Sequence, residues 1–336
     1  MGKKGRRLLC LCLLAAVLGG VAWKTHDAAQ KPLQIGVSIY LDTDTFVEKI
    51  ISGMEEAAHA YEEETGRKIV LNISAANGSQ RLQNEQVKRF MAFGCDAVCV
   101  NLVDRTSASS IIDIVLQEDP SVPVIFFNRE PVPEDIMRGE RIYYVGSDAK
   151  QTAVLQGRSV VASLRRRPEM DKDGDGVLQY VMLEGEMGHQ DTIMRSEYSV
   201  ETIEEAGILL KKLDSGTADW ERGRARMLME QWLAAYGSEI ELVLCNNDDM
   251  ALGALDALDA AGVSAAVFGV DATDVGMEAL SAGRLWGTVD CNGKAQGRAV
   301  FRLAACIAAE GRVPGDVMLQ KERYVRVPLY NRMSAK

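Results

Sequence analysis

Four acid and amide side chains at alternate positions mark the stretch with the clearest chemistry. The run Asp171-Lys172-Asp173-Gly174-Asp175-Gly176-Val177-Leu178-Gln179 has carboxylates at its first, third and fifth positions, glycine at the sixth and an amide oxygen at the ninth. That order is the front of a cation loop with hard oxygen ligands, the kind calcium prefers. Gly176 permits the sharp turn, and Val177 needs only its backbone carbonyl. The twelfth position, where a bidentate Glu would close the shell, is Met182. A carboxylate from elsewhere in the chain must therefore complete the site. Residues 178–183 read as a strand rather than a helix, so the loop is expected to be a metal staple on a larger fold and not a helix–loop–helix sensor. A solvated acidic turn is the plain alternative.

A second group of candidates emerges from the elements around it. Apolar runs at 33–40, 68–73, 97–100, 122–127 and 143–145 alternate with helical periodicity at 46–64, 82–93, 107–117 and 149–164. The pattern repeats with strands at 178–183, 208–213, 242–245, 266–270 and 285–289, and helices at 192–206, 220–235, 250–261, 275–282 and 293–309. Such alternation predicts an α/β fold with two doubly wound parallel-sheet lobes. Ligands of open α/β sheets bind beyond the carboxyl ends of the strands. There the chain places Asp44 and Phe46, Asn101, Asn128, His189 and Asp191, Asn247, Asp271, and Asp290 to Asn292, with Trp220 after a turn. Each alone reads more readily as a helix cap or turn residue than as a ligand group. Together with Arg195 they describe a sugar site, because acids and amides suit hydroxyls and aromatic rings suit C–H faces.

Bulk properties set the limits. The 336 residues suffice for two cores, and a net charge of −10 argues against nucleic acid as a partner. Lys3, Lys4, Arg6 and Arg7 precede an apolar run at 8–23, which as a helix spans about 24 Å, short of a ~30 Å hydrocarbon core. Residues 1–30 are thus expected to be an export signal, or a signal anchor if uncleaved. Beyond them, Cys95, Cys99, Cys245, Cys291 and Cys306 are odd in number and irregular in spacing, which is no disulfide framework.

At these residues the chain resembles the glucose/galactose-binding members of the periplasmic sugar-binding protein family. The strings that carry the resemblance run in order from Ile35-Gly36-Val37-Ser38-Ile39-Tyr40 through Asn101-Leu102-Val103-Asp104 and Phe127-Asn128-Arg129-Glu130-Pro131 to Tyr143-Tyr144-Val145-Gly146. They continue with the acidic loop, Gly185-Glu186-Met187-Gly188-His189-Gln190-Asp191, Asn246-Asn247-Asp248 and Phe268-Gly269-Val270-Asp271. The resemblance implies the periplasmic binding protein type I architecture, with three hinge crossings near Asn128, Cys291 and Arg326. The lobes would then comprise residues 31–128 with 291–326, and 129–290 with 327–336. It implies an aromatic sandwich of Phe46 and Trp220. Asp44 and Asn101 would bind the sugar from the first lobe, and His189, Asp191, Arg195, Asn247 and Asp271 from the second. It also assigns Glu241 as the remote calcium ligand beside Asp171, Asp173, Asp175, Val177 and Gln179. The family's last amide contact falls on Cys291 here, which leaves Asn292 or Asp290 to replace it.

The expected function is an exported, monomeric, calcium-stabilised hexose carrier that closes on its sugar and serves an ABC importer. The alternative is a membrane-tethered sensor that presents occupancy to a chemoreceptor or sensor kinase. An enzyme is not expected. A retaining glycosidase needs two carboxyls about 5–5.5 Å apart acting as acid and nucleophile, and no separate acid motif is present. A sugar-responsive transcription regulator would need a DNA-binding helix pair where the signal-like segment stands.

Overall fold

Two six-stranded sheets of matching strand order build the protein, a computed structural model that describes residues 31–321 and 323–335. The expected export signal at residues 1–30, and with it the tethered alternative, lies outside the described residues. In chain order the principal elements of the first half are β1 (Leu33–Ile39), α1 (Thr45–Thr65), β2 (Ile69–Ala75), α2 (Gln80–Ala92), β3 (Ala97–Val100), α3 (Ala108–Glu118), β4 (Val124–Phe127), α4 (Pro133–Ile136) and β5 (Ile142–Gly146). There follow α5 (Ala149–Arg166), β6 (Val177–Glu184), α6 (Gln190–Glu205), β7 (Leu209–Thr217), α7 (Arg222–Tyr236), β8 (Leu242–Cys245), α8 (Asp248–Ala261), β9 (Ala266–Phe268), α9 (Asp274–Ser281), β10 (Gly287–Asp290), α10 (Gly293–Glu310), β11 (Tyr324–Arg326) and β12 (Tyr330–Met333).

The sheet orders are β2-β1-β3-β4-β5-β11 and β7-β6-β8-β9-β10-β12. In each, the strand order reverses at the first strand of the half, β1 or β6, and ligand crevices form at such switch points. The strands pair in parallel except β12, which runs antiparallel to β10 with Gly287 opposite Met333. This short antiparallel edge was not among the expected strands. Tyr330 to Met333 is mostly exposed, so it lacks the apolar run that marks a buried parallel strand.

The lobe boundary also differs from the expected one. β5 pairs with β4 through Val124–Ile142 to Phe127–Val145 and with β11 through Tyr144–Tyr324. The first lobe therefore continues past Asn128 to Gly146, and the first crossing is the short link at Ser147 and Asp148. The second crossing runs through Cys291 and Asn292, between β10 and α10, and the third lies between β11 and β12.

Each sheet is covered on both faces. In the first lobe α1 and α10 pack closely, because Gly53 and Gly297 lie at their crossing. A Cβ at Gly297 would stand 1.9 Å from the Ile50 carbonyl oxygen, and one at Gly53 would stand 2.3 Å from that of Lys294. Ile50, Met54, Val300 and Phe301 are fully buried there against Val37 and Ile125 of the sheet. The other face buries Phe126, Ile111, Ile112 and Tyr144. The second lobe repeats the plan with Val243, Met250 and Met229 on one face and Phe268, Tyr180 and Ile203 on the other. All five cysteines among the described residues are free and buried.

Candidate functional site

The carboxyl ends of both sheets meet across a cleft. Tyr40, Asp44, Phe46, Asn128 and Arg129 of the first lobe enclose a space with His189, Asp191, Arg195, Trp220, Asn247 and Asp271 of the second. The space is small, about 30 Å³. A roomier hollow of about 340 Å³ adjoins it and shares Tyr40, Asp44 and Trp220. The lobes are drawn together by polar contacts along the rim. Thr45 Oγ1 donates to Asp249 Oδ2 at 2.7 Å, Lys49 Nζ to the Ala272 carbonyl at 2.7 Å, and Arg105 Nη2 to Gln190 Oε1 at 2.8 Å. A ring-sized ligand must therefore enter through lobe separation.

On the first lobe, Asp44 is the N-cap of α1. Its Oδ1 accepts from the backbone N–H groups of Phe46 and Val47, both at 2.9 Å, and its Oδ2 accepts from the Tyr40 hydroxyl at 2.5 Å. The cap fixes the carboxylate at the cleft and starts the helix that carries Phe46. Burial first, and then the Asp44 charge, push the Tyr40 phenol pKa well up, so Tyr40 stays a donor. The guanidinium of Arg129 lies over the Tyr40 ring, 3.7 Å from its centroid.

On the second lobe, two caps do similar work. His189 caps α6, with Nδ1 accepting from the Asp191 N–H at 3.0 Å. Burial, assisted by the nearby Arg129, Arg195 and Arg105 charges, lowers the imidazole pKa to about 3, against the pull of Asp191. The ring is neutral at pH 7 with its proton on Nε2, so it faces the cleft as a donor. Asn247 caps α8 through Oδ1 to Met250 N, while its Nδ2 donates to the Trp220 carbonyl.

Arg195, one turn after Asp191, is buried. Its Nη2 donates to Asp191 Oδ2 at 2.7 Å and its Nη1 to the Asn246 carbonyl at 2.7 Å. Asp271 Oδ1 stands 3.7 Å from Arg195 Nη1. Although burial opposes the charge, Asp191 and Asp271 hold the Arg195 pKa above its ordinary value. Burial likewise drives the Asp271 carboxyl pKa well up, with Arg195 opposing. Two polar atoms on this wall are left without a hydrogen bond, Arg195 Nε and Asp271 Oδ1. A buried donor and a buried acceptor on one wall are suited to a hydroxyl, which both gives and accepts.

The Trp220 indole is held by strained backbone. Trp220 has φ 68° and its neighbour Asp219 φ 50°, a conformation that bulky residues rarely adopt. The indole is seated against bare backbone, because a Cβ at Gly185 would stand 2.2 Å from its ring. The His189 ring meets it edge-on at 5.1 Å. Asp271 and Ala272, at φ 106° and 50°, are also left-handed. The unusual backbone thus gathers at the cleft, where it aims side chains inward.

Eight of the ten expected sugar residues line the space: Asp44, Phe46, His189, Asp191, Arg195, Trp220, Asn247 and Asp271. Asn101 does not. Its Oδ1 accepts from Tyr40 N at 3.3 Å and its Nδ2 donates to the Phe127 carbonyl at 3.2 Å, so it ties the ends of β1 and β4 together. Asn292 does not either. It takes the left-handed turn into α10, and its N–H donates to Asp290 Oδ1. Cys291 is fully buried, 4.0 Å from Thr152 Oγ1. Tyr40 and Arg129 also line the space but were not among the expected residues, and Asn128, named at its strand end, was not assigned to the sugar. Asn128 and Arg129 directly follow β4, so the strand-end rule pointed to both.

The acidic loop lies at the amino end of β6, some eight residues or about 26 Å of strand from the cleft. Oxygens of Asp171, Asp173 and Glu241 come within 4.8 Å of one another. Asp171 carboxylate oxygens accept from the Gly174 and Gly176 N–H groups, and Asp175 Oδ1 accepts from Val177 N. Glu241, buried at the start of β8, accepts from Lys172 N and Gln179 N. Gln179 Oε1 is buried with no protein partner. The donor set is all oxygen and one amide oxygen is orphaned, so the residues fit a hard cation.

Residues 35–312 match the periplasmic binding protein domain family. The chain is 34% identical over 297 residues to the D-galactose/methyl-galactoside binding periplasmic protein of Haemophilus influenzae, a span of 88% of each chain. It is 32% identical to a putative rhizopine-binding protein of Rhizobium meliloti, over 88% of this chain and 93% of that one. Among solved structures, an ABC transporter solute binding protein of Bacillus halodurans with bound myo-inositol superposes at a TM-score of 0.75. It is 31% identical and covers 92% of this chain and 96% of its own.

Proposed function

From the premise that this chain belongs to the periplasmic binding protein family, a sugar-binding component of ABC import, we propose that it carries a single hexose such as galactose or glucose. The observation that carries this reading is the pair of buried atoms without a hydrogen bond, Arg195 Nε and Asp271 Oδ1, on the wall of an interlobe space shared by Phe46 and Trp220. A pyranose offers alternating hydroxyls to the acids, amides and arginine, and two apolar faces to the rings. Asp191 is tied to Arg195 and Asp44 to a helix N-terminus and Tyr40. These carboxylates are held in fixed hydrogen bonds, in keeping with a carrier. Binding would place the sugar between the lobes, and closure would bury it. The closed form would then present a defined rim to the membrane permease.

Hexose is favoured over a cyclitol by the Arg195 donor, which suits a ring oxygen as well as a hydroxyl. The myo-inositol bound by the Bacillus halodurans protein makes a cyclitol the specific competitor. Calorimetric titration with D-galactose, D-glucose and myo-inositol tests the reading. Tighter binding of either hexose supports it, and preference for myo-inositol sinks the hexose assignment.

We further propose that Asp171, Asp173, Asp175, Val177, Gln179 and Glu241 hold calcium. The orphaned Gln179 Oε1 and the gathering of Asp171, Asp173 and Glu241 support this. When bound, the ion would clamp the loop before β6 to the start of β8. Its remoteness from the cleft gives it a structural role only.

A further inference from the structure

Beside the sugar wall, one arginine has a partner on the opposite lobe. Arg129 follows β4 directly, in the first lobe, and is only 4% exposed. Its Nη1 donates to the Val103 carbonyl at 2.9 Å and its plane lies on Tyr40, both in its own lobe. Its Nη2 stands 2.7 Å from Glu186 Oε2, on the β6–α6 loop of the second lobe. Glu186 is 44% exposed at the rim. Tyr40 in turn donates to Asp44, the carboxylate that caps α1 beside Phe46. The chain of contacts Glu186–Arg129–Tyr40–Asp44 therefore runs from one lobe, across the cleft, into the ligand wall of the other.

Resting on the sugar-carrier reading, we propose that Arg129 is a positioning residue that couples lobe closure to the setting of Tyr40 and Asp44, with Glu186 as the partner that closure brings in. In the open form Glu186 withdraws with its lobe. Arg129 then keeps only a neutral carbonyl and a ring face, and its charge turns to water. In the closed form the carboxylate completes a charge-assisted pair on a guanidinium already held flat. That pair exists only when the lobes meet, so it biases the molecule toward the binding-competent form. Apparent affinity scales with the population of that form. On the same edge, Arg105 bridges the Glu130 carbonyl and Gln190 Oε1, which lines Arg129 and Glu186 up as the lobes approach.

The test uses the full chain with its acidic loop supplied with calcium. Ligand-free small-angle scattering is compared for the wild type and Glu186→Gln, a substitution at an exposed rim position that keeps shape. The latch predicts a larger mean radius of gyration in Glu186→Gln, and an unchanged scattering curve overturns it. This arm needs no ligand, so it stands even if the wild type binds none of D-galactose, D-glucose and myo-inositol, a failure that would strike the carrier reading instead. With the tightest binder of the three, Glu186→Gln should weaken binding about tenfold, chiefly through faster release. Arg129→Lys should weaken it at least as much, and the double variant should bind no worse than Arg129→Lys alone. Losses that multiply in the double variant, or equal affinity in Glu186→Gln, would overturn the coupling.

Discussion

At the scale of single residues, capping a helix and facing the cleft are the same act in this protein. Asp44, His189 and Asn247 each cap a helix and each face the cleft. The cap bonds hold the side chain at the strand end and leave a second polar atom, or a second lone pair, turned to the cleft. A residue that caps a helix here is thus not withdrawn from the cleft. His189 illustrates the energetic consequence. Its folded pKa of about 3 lies below the unfolded value of ~6.5, so between those pH values the unfolded chain binds a proton that the folded chain refuses. Stability from this residue is intact above pH ~6.5 and falls as pH drops toward 3. His189→Asn should remove that component, so the stability gap between wild type and variant should shrink steadily on acidification. Denaturant melts at pH 7, 6, 5 and 4 would show it, and a pH-independent gap would contradict the burial of a neutral ring.

Asn101 and Arg129 show where residue reasoning ran out. Asn101 sits at a strand end like the ligand groups, but its amide is consumed by the Tyr40 N–H and the Phe127 carbonyl. Only the register of β1, β3 and β4 reveals that both backbone groups lie within its reach. Arg129 stands in a matching string of the sequence, yet its partners Tyr40 and Glu186 are 89 and 57 residues away. No local pattern connects them.

At the scale of elements, alternation of strand and helix was readable because both sheets are buried on two faces and their strands are apolar runs. The exposed edge strand β12 and the three-residue β11 carry no such run, and the lobe boundary went astray with them. Pairing of β5 to β11 decides that boundary, and pairing across 180 residues leaves no local trace. Close helix packing in the first lobe gives a direct check. Gly297→Ala puts a methyl group onto the Ile50 carbonyl, and overpacking of this kind typically costs about 1–3 kcal/mol. The melting temperature should fall by several degrees, roughly 2–4 °C per kcal/mol for a domain of this size. An unchanged melting temperature would mean that α1 and α10 do not approach so closely. The acidic loop gives another. If calcium fills it, adding a chelator should lower the melting temperature by about 5 °C or more. In Asp173→Asn that response should be much reduced, while sugar affinity at 25 °C is kept. Equal melting temperatures with and without chelator would leave the loop a solvated turn.

At the scale of the whole molecule, two copies of one sheet plan face each other with their switch points at a common cleft. Each lobe supplies a ring, a carboxylate and an amide, and neither half of the site is complete alone. Contacts such as Thr45 to Asp249 and Lys49 to Ala272 exist only while the lobes are together, so a ligand that bridges the proposed site would favour the same closed arrangement. The central claim is that a single sugar ring is held between Phe46 and Trp220 in that cleft. Titration calorimetry of the wild type and Trp220→Ala with D-galactose, D-glucose and myo-inositol tests it most directly. The account predicts saturable binding of a hexose at one site per chain, weakened about tenfold or more by Trp220→Ala. Heat from none of the three rings, or equal affinity in the wild type and the variant, would contradict it.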